Sequence, residues 1–322
     1  MYLVIGSATL DIFVSGVDRM PETQGDEFTV DSLVFTENPL DMRPGGNGAN
    51  SAIVLGHLGA PVCLCSAVGR DVPGDLLTGW LQEAGVQIHA PKDSTQWSTS
   101  TTTVIADHQR NRQSFHHHGA TGEFGPKELP AELLEAAEVV LVTGYPLLTG
   151  WRPDGVRQVL EASRRNGALT ALDIGPAVGE PASLEEIASF LPVVDYLLCN
   201  AHELSVLCGT ESLGENITRL RQAGVNTAIV KRGARGAAML RPGETSMTEV
   251  PAFPAEAAFT VGAGDAFNAG LLYAVRRGRD LPEAVRFAHA VAGNVIASEK
   301  GVLGCPPAKE IDTFLAAAFT GN

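Results

Sequence analysis

Residues 260–267 read Thr260-Val261-Gly262-Ala263-Gly264-Asp265-Ala266-Phe267, a Gly-Ala-Gly turn that runs directly into an apolar helical pattern. Such a turn leaves three backbone N–H groups uncovered at the positive end of a helix dipole, where they form an anion site. Asp265 falls in the first helical turn. A carboxylate there is either an N-terminal cap or a general base set beside an oxyanion or phosphate cradle. The residues alone allow both readings. The helix predicted from this turn spans Ala263–Arg276, and two more follow it over Pro282–Ser298 and Ala308–Ala318.

Upstream of this all-helical third, short β-branched runs alternate with helical patterns. Strands are predicted at Leu3–Ile5, Val62–Val68, Val139–Val142, Leu169–Leu172, Tyr196–Cys199, Thr227–Val230 and Ala237–Leu240. Helices are predicted at Asn50–Leu58, Gly74–Glu83, Asp154–Arg165, Leu184–Phe190 and Glu215–Gln222. This alternation predicts an α/β fold with a mostly parallel central sheet and helices on both faces. Residues 28–35 (FTVDSLVF) and 99–106 (TSTTTVIA) with 112–115 (RQSF) break the pattern with the period-2 alternation of half-exposed strands. The polar segment Asp107–Asn111 reads as a hairpin turn. These pieces are expected either to pair as a small sheet lying over the α/β body as a lid, or to be decorated surface loops.

A second glycine motif is Arg43-Pro44-Gly45-Gly46-Asn47-Gly48-Ala49-Asn50, which opens a helix. Glycines there let backbone approach a ligand, and Asn47 and Asn50 offer donors and acceptors to a polyhydroxylated molecule; a tight turn with an Asn cap reads equally well. Asp11 lies at the end of the first strand region, in an apolar run where a carboxylate is costly unless it is paired or bonds a ligand. Asn200 and Glu203, after the strand at 196–199, match a capping box or one face of a phosphate site. Lys231-Arg232-Gly233-Ala234-Arg235-Gly236 offers glycines and three cations to nucleotide phosphates, or forms a solvated basic hairpin. In His116-His117-His118 the outer two side chains would share one face of a strand, and metal-ligand spacing is lacking. There is no Gly-Lys dipeptide and hence no Walker-A loop, no dinucleotide fingerprint and no Gly-x-Ser-x-Gly elbow.

The composition narrows the partners. The chain has 322 residues, 37 acidic against 23 basic, for a net charge of −14, with no Lys/Arg run. That argues against a sequence-independent hold on nucleic acid or an anionic membrane, though not against one small anion in a local pocket. Five cysteines without ligand spacing suit a reducing compartment, and no segment reads as a signal peptide or a spanning helix. The expected location is the cytoplasm. Glycine, at 35 residues, exceeds the usual share of roughly 7%, and much of the excess falls in the motifs above.

The order of the motifs is more telling than any one of them. Asp11 is followed by GGNGAN (45–50), Ala67-Val68-Gly69-Arg70-Asp71 with Gly74, Asn200-x-x-Glu203, Gly233-x-x-Gly236, Gly262-Ala263-Gly264-Asp265 and Phe287-Ala288-His289-Ala290. In this order they resemble the ribokinase-like, or PfkB, family of carbohydrate and nucleoside kinases, over nearly the whole chain. The resemblance implies one ribokinase-like domain over 1–322, with a lid formed by about 13–43 and 97–119. It also implies transfer of the ATP γ-phosphoryl group to a substrate hydroxyl. Asp265 would be the base, and the N–H groups of Gly262, Ala263 and Gly264 the anion hole. Asp11, Gly46, Asn47 and Asn50 match positions that hold substrate hydroxyls. Asn200 and Glu203 match the motif that organises Mg²⁺, through water, and the phosphates. Lys231, Gly233 and Gly236 match the nucleotide loop, and His289 a position beside the base of the nucleotide.

Departures from the family pattern bear on cation and substrate. Phe259-Thr260-Val261 stands where ribokinases have Asp-Thr-Thr, and Cys305 where they have Ser. Both side-chain ligands for an activating potassium ion are then missing, and weak or no dependence on a monovalent cation is expected. Thr9, Asn47 and Gly144 stand where ribokinases have Asn, Lys and Glu, so ribose itself is less favoured than another small sugar or sugar derivative. His116–His118 fall where the second lid segment approaches the substrate. The alternatives are a nucleoside kinase of the same fold, for which Phe28, Phe35, Trp97 and Phe115 are the lid aromatics available to a base, and a catalytically silent sugar- or nucleotide-binding protein. Related enzymes often pair through their lid sheets, and the exposed β pattern permits such a homodimer.

Overall fold

The computed structural model describes residues 1–18, 32–89, 97–108 and 112–320. A nine-stranded sheet forms its centre: β1 (Tyr2–Ile5), β4 (Val62–Cys65), β5 (Gln87–His89), β8 (Val139–Val142), β9 (Leu169–Asp173), β10 (Tyr196–Asn200), β11 (Thr227–Lys231), β12 (Ala237–Leu240) and β13 (Thr248–Val250). Their spatial order is β13-β12-β11-β10-β9-β8-β1-β4-β5. Neighbours run parallel from β11 to β5, while β12 and β13 add on antiparallel.

Short runs such as VVLV (139–142) are apolar at every position because both faces of the sheet are covered. Val139 and Leu141 face one core, which packs against α1 (Asn47–His57), α2 (Val72–Glu83), α8 (Ala263–Arg276), α9 (Leu281–Ala297) and α10 (Ala308–Thr320). Val140 and Val142 face the other, against α4 (Asp154–Arg165), α5 (Leu184–Ile187), α6 (Ala201–Cys208) and α7 (Leu213–Gln222). The remaining α-helix, α3 (Ala131–Ala136), adds partly buried Leu133 and Leu134 to that second core. All five cysteines are free and buried.

A separate four-stranded sheet has the order β3-β2-β6-β7, from β2 (Thr9–Val17), β3 (Asp41–Gly45), β6 (Ser100–Asp107) and β7 (Arg112–His117). β2 pairs antiparallel with β3 and parallel with β6, and β6 pairs antiparallel with β7. The segments around 99–106 and 112–115 therefore do form this sheet. Among the described residues, 32–35 of the strand expected at 28–35 do not contribute. Residues 28–31, Phe28 among them, lie outside the described residues, and 33–36 carry no regular structure. Phe35 is 84% exposed and Leu33 53%, so their alternation has no apolar face to cover. The missing strand is instead β2, continuous in sequence with β1. Asp11 thus sits inside a strand of the small sheet and not at the end of the first one. Of the predicted turn at 107–111, residues 109–111 lie outside the described residues.

Candidate active site

The carboxyl ends of the parallel strands meet the head of α8 and one face of the small sheet, where open α/β sheets bind ligands. A cavity of about 920 Å³ opens there. Ser7, Gly46, Asn47, Asn50, Gly262 and Asp265 line its floor, and Thr9, Asp11, Ser100, Thr102 and His116 come from the small sheet and its approaches. Pro146, Leu147, Pro176 and Val178 add an apolar stretch, next to Arg152 and Glu186.

Asp265 is buried in the first turn of α8, which begins after Gly262 in the left-handed region at φ 82°. A Cβ on Gly262 would come within 2.8 Å of Val302, so both conformation and space require glycine. Asn47 Nδ2 donates to Asp265 Oδ1 at 2.8 Å, and Asn50 Nδ2 donates to Oδ2 at 2.9 Å. The two asparagines of the GGNGAN motif, more than 200 residues away in sequence, therefore hold the carboxylate between them. Burial pushes Asp265 up to about 7, with the charge of Asp173 adding to the effect, against the pull of both amides and of Lys231. A carboxylate with that proton affinity, open to a cavity, is suited to take up a proton near neutral pH.

Asp11 is buried in β2 and faces the same cavity. Burial raises it to about 6, with the Thr102 hydroxyl on the neighbouring strand acting against the rise. Gly45 on the neighbouring strand explains the fit, because a Cβ there would overlap the Asp11 carboxylate.

Around the nucleotide motifs the structure supplies a residue that sequence reading passed over. Asp173, at the end of β9, is 2% exposed. Its carboxylate accepts from Thr143 Oγ1 at 3.0 Å, Gly144 N at 3.4 Å, Asn268 Nδ2 at 2.8 Å and Lys231 Nζ at 3.0 Å. Lys231 also donates to Asn268 Oδ1 at 3.0 Å, and its ammonium lies 3.6 Å from where a Cβ on Gly264 would sit. It is thus held under the turn at the head of α8. Arg232 pairs with Glu249 at 2.6 Å, so the three cations read from 231–235 do not form one free cluster. An aspartate ending an apolar strand has no signature of its own; its partners come from three other stretches of the chain.

Asn200 and Glu203 form the predicted capping box. Asn200 N and Nδ2 donate to the Glu203 carboxylate at 2.7 Å each, and Glu203 N donates to Asn200 Oδ1 at 2.9 Å. Glu203 is raised to about 7 by burial and by Asp173, and lowered by Lys231. Gly233 and Gly236 bracket the turn from β11 to β12, and a Cβ on Gly236 would strike the Val250 carbonyl. His289 lies within α9, beside the Val250 backbone and edge-on to Phe267 at 5.0 Å. Burial pushes it down to about 4, and it does not line the cavity. His116 and His118 do line it, with their rings edge-to-face at 4.9 Å, whereas His117 bonds Ser98 at 2.8 Å. Neither Phe35, Trp97 nor Phe115 reaches the cavity, and among the described residues no Phe, Tyr or Trp lines it.

The comparisons with known proteins agree with this arrangement. The model of the pfkB family of carbohydrate kinases matches residues 8–308. The chain belongs to the PfkB family. A nucleoside kinase of Methanothermobacter thermautotrophicus is 31% identical over 256 residues, 79% of each chain. An ATP-dependent ribose-1-phosphate kinase of Halopiger xanaduensis is 27% identical and 94% of each chain is covered. The solved structure of Arabidopsis thaliana ribokinase complexed with ribose and ATP superposes with a TM-score of 0.80 at 25% identity, covering 98% of each chain. The ribokinase-like fold and the activity class, sugar or nucleoside kinase, follow from these matches. Among the described residues no helix is long and apolar enough to cross a membrane.

Proposed function

We propose that this PfkB kinase transfers the γ-phosphoryl group of ATP to a hydroxyl of a small sugar or sugar derivative. The observation that carries the reading is Asp265, buried at the head of α8, held by Asn47 and Asn50, and open to a cavity shared with Asp11. The substrate hydroxyl loses its proton to Asp265 as its oxygen bonds to the γ-phosphorus. The bridging P–O bond breaks at the same centre, and ADP leaves with that electron pair. The backbone N–H groups of Gly262, Ala263 and Gly264 and the Lys231 ammonium stabilise charge developing on the transferred group. Asp11, Gly46, Asn47 and Asn50 hold substrate. Asn200, Glu203, Gly233, Gly236 and His289 serve the nucleotide side, His289 by supporting the packing behind it.

Mg²⁺ fits this donor set. Glu203 offers hard oxygen ligands whose ionised form is disfavoured by burial, so a divalent cation nearby favours it. Each of its oxygens already accepts one Asn200 donor, which suits a hydrated ion met through water. Bound there with the nucleotide, Mg²⁺ would neutralise phosphate charge.

A nucleoside acceptor is the second reading, supported by the relative at 31% identity and by the apolar stretch at Pro146, Leu147, Pro176 and Val178. Five buried free cysteines and the use of ATP suit the cytoplasm. Half-exposed Met42 and Phe115 on the small sheet suit pairing of two copies through it. An ADP-release assay over sugars, sugar acids, sugar phosphates and nucleosides tests the reading. Turnover with a free sugar is expected, and turnover confined to nucleosides selects the second reading.

A further inference from the structure

Asp11 and Arg43 are partners in the register of β2 and β3, so both side chains leave the small sheet on one face. Phe13, two residues along β2, shares that face. Asp11 lines the cavity, whereas Phe13 and Arg43 do not. They close instead on Phe259, which precedes the turn at 260–264. The edge of Phe13 meets the Phe259 ring at 5.0 Å between centroids, and the Arg43 guanidinium carbon lies 4.0 Å from the Phe259 centroid.

The pairing of Arg43 is lopsided. Its Nε and Nη2 both reach one oxygen of half-exposed Asp41 at 2.5 Å. The remaining nitrogen, Nη1, is buried without a hydrogen-bond partner among the described residues, and it lies 3.5 Å from where a Cβ on Gly301 would sit. Gly301 opens the short turn Gly301–Gly304, whose Val302 stands against Gly262. Water screens the Asp41 side of the pair but not the buried side, so the pair presents its positive end to the two loops that meet behind the head of α8. A cation behind a turn draws peptide carbonyls toward itself and leaves N–H groups pointing away, which is the orientation an anion hole needs.

Resting on the kinase reading above, we propose that Arg43 is a positioning residue of the anion hole. Its charge, applied from outside the cavity, aligns the N–H groups of Gly262, Ala263 and Gly264 on the phosphoryl group in transfer. Arg43 acts through Phe259 and the turn and touches no substrate. The pair of strands that presents Asp11 to the acceptor thereby also sets the turn that receives the phosphoryl charge.

The test separates charge from packing with two variants of opposite sign. Arg43→Met keeps an apolar stem over Phe259 and removes the charge. Asp41→Asn keeps an oxygen for the guanidinium and removes the counter-charge. The probe is ADP with aluminium fluoride and Mg²⁺, the fluoride anion standing in for the transferred phosphoryl group, with binding read by calorimetry. Arg43→Met should bind this pair about tenfold more weakly and Asp41→Asn about two- to threefold more tightly, while ADP alone binds both as it binds wild type. For any of D-ribose, D-fructose, adenosine and cytidine that wild type phosphorylates, kcat should move in the same two directions with the acceptor KM unchanged. Packing alone weakens binding in both variants or in neither, and any pattern other than opposite signs overturns the proposal, as does an equal loss of ADP binding in Arg43→Met. Should Arg43→Met not fold, Asp41→Asn decides, and its failure to tighten the ADP–aluminium fluoride pair overturns the proposal. If wild type binds ADP but phosphorylates none of the four compounds, the kinase reading fails for them and the binding arm alone judges Arg43. A wild type that binds no ADP overturns both.

Discussion

Asp173 and Asp265 are both buried at the ligand end of the main sheet, and their surroundings give them opposite capacities. Asp173 accepts from a hydroxyl, a backbone amide, a side-chain amide and an ammonium. Among the described residues Asp265 has two amide donors and no cation in direct contact, and it faces an open cavity. Saturation makes the first a clasp joining β8, β9, β11 and α8. Burial, offset by only two amide donors, leaves the second with a proton affinity near neutrality. Residue type and burial are shared, so the number and charge of the donors separate a structural clasp from a carboxylate left open to the cavity.

The largest effect is expected where this difference is removed. Asp265→Asn takes away the base, so kcat should fall by about 10³-fold or more, while ATP binding, read by calorimetry, stays largely intact. Asp173→Asn should act mainly on stability, because it leaves the Lys231 ammonium buried without a counter-ion. Breaking such a pair costs about 3–5 kcal/mol, readable by urea denaturation. If Asp173→Asn lost turnover as fully as Asp265→Asn and kept its stability, the contrast between clasp and base would collapse.

The second test sharpens the contrast through pH. Catalysis needs Asp265 ionised, so kcat/KM should climb as pH rises through about 7. Stability runs the other way. The folded carboxyl binds its proton more tightly than the unfolded one, with its pKa lifted from 3.8 to about 7. Its contribution is fully present below about pH 4 and is lost as pH rises toward 7. Glu203, raised to about 7, and Asp11, raised to about 6, add with the same sign. Asp265→Asn should therefore melt higher than the parent at pH 8, by about 2–4 °C, and differ from it less at pH 5. A uniform difference across pH would mean that Asp265 is not the titrating group.

How far this was legible from sequence depended on whether partners are local. The helices Asp154–Arg165 and Ala263–Arg276 were readable end to end, since periodicity and termini are written in consecutive residues. The Asn200–Glu203 cap was readable for the same reason. Strand β2 was not, because Asp11 interrupts its apolar run, and the reason for that carboxylate lies across the sheet at Thr102 and Gly45. Asp173 escaped notice since its partners come from Thr143, Lys231 and Asn268. The Asn47 and Asn50 motif was visible, yet its grip on Asp265 was not, because no spacing encodes a contact across more than 200 residues.

The smallest expected effect concerns the turn that precedes Asp265. Family resemblance implies side-chain ligands for a potassium ion at 259 and 305. Here the Phe259 ring is capped by the Arg43 guanidinium at 4.0 Å and by the edge of Phe13 at 5.0 Å. The Cys305 thiol is buried and turned to the Pro306 carbonyl at 3.6 Å. A guanidinium beside this turn also repels a second cation, since Arg43, although paired with Asp41 at 2.5 Å, keeps Nη1 buried without a hydrogen-bond partner among the described residues. The turn is thus held by stacked side chains, and exchanging NaCl for KCl at constant ionic strength should change kcat/KM by less than about twofold. Phe259→Asp should lose the stacking before it gains any ion, so its turnover should drop in both salts. A many-fold activation of the parent by KCl would show that backbone carbonyls alone suffice to hold the ion beside Arg43.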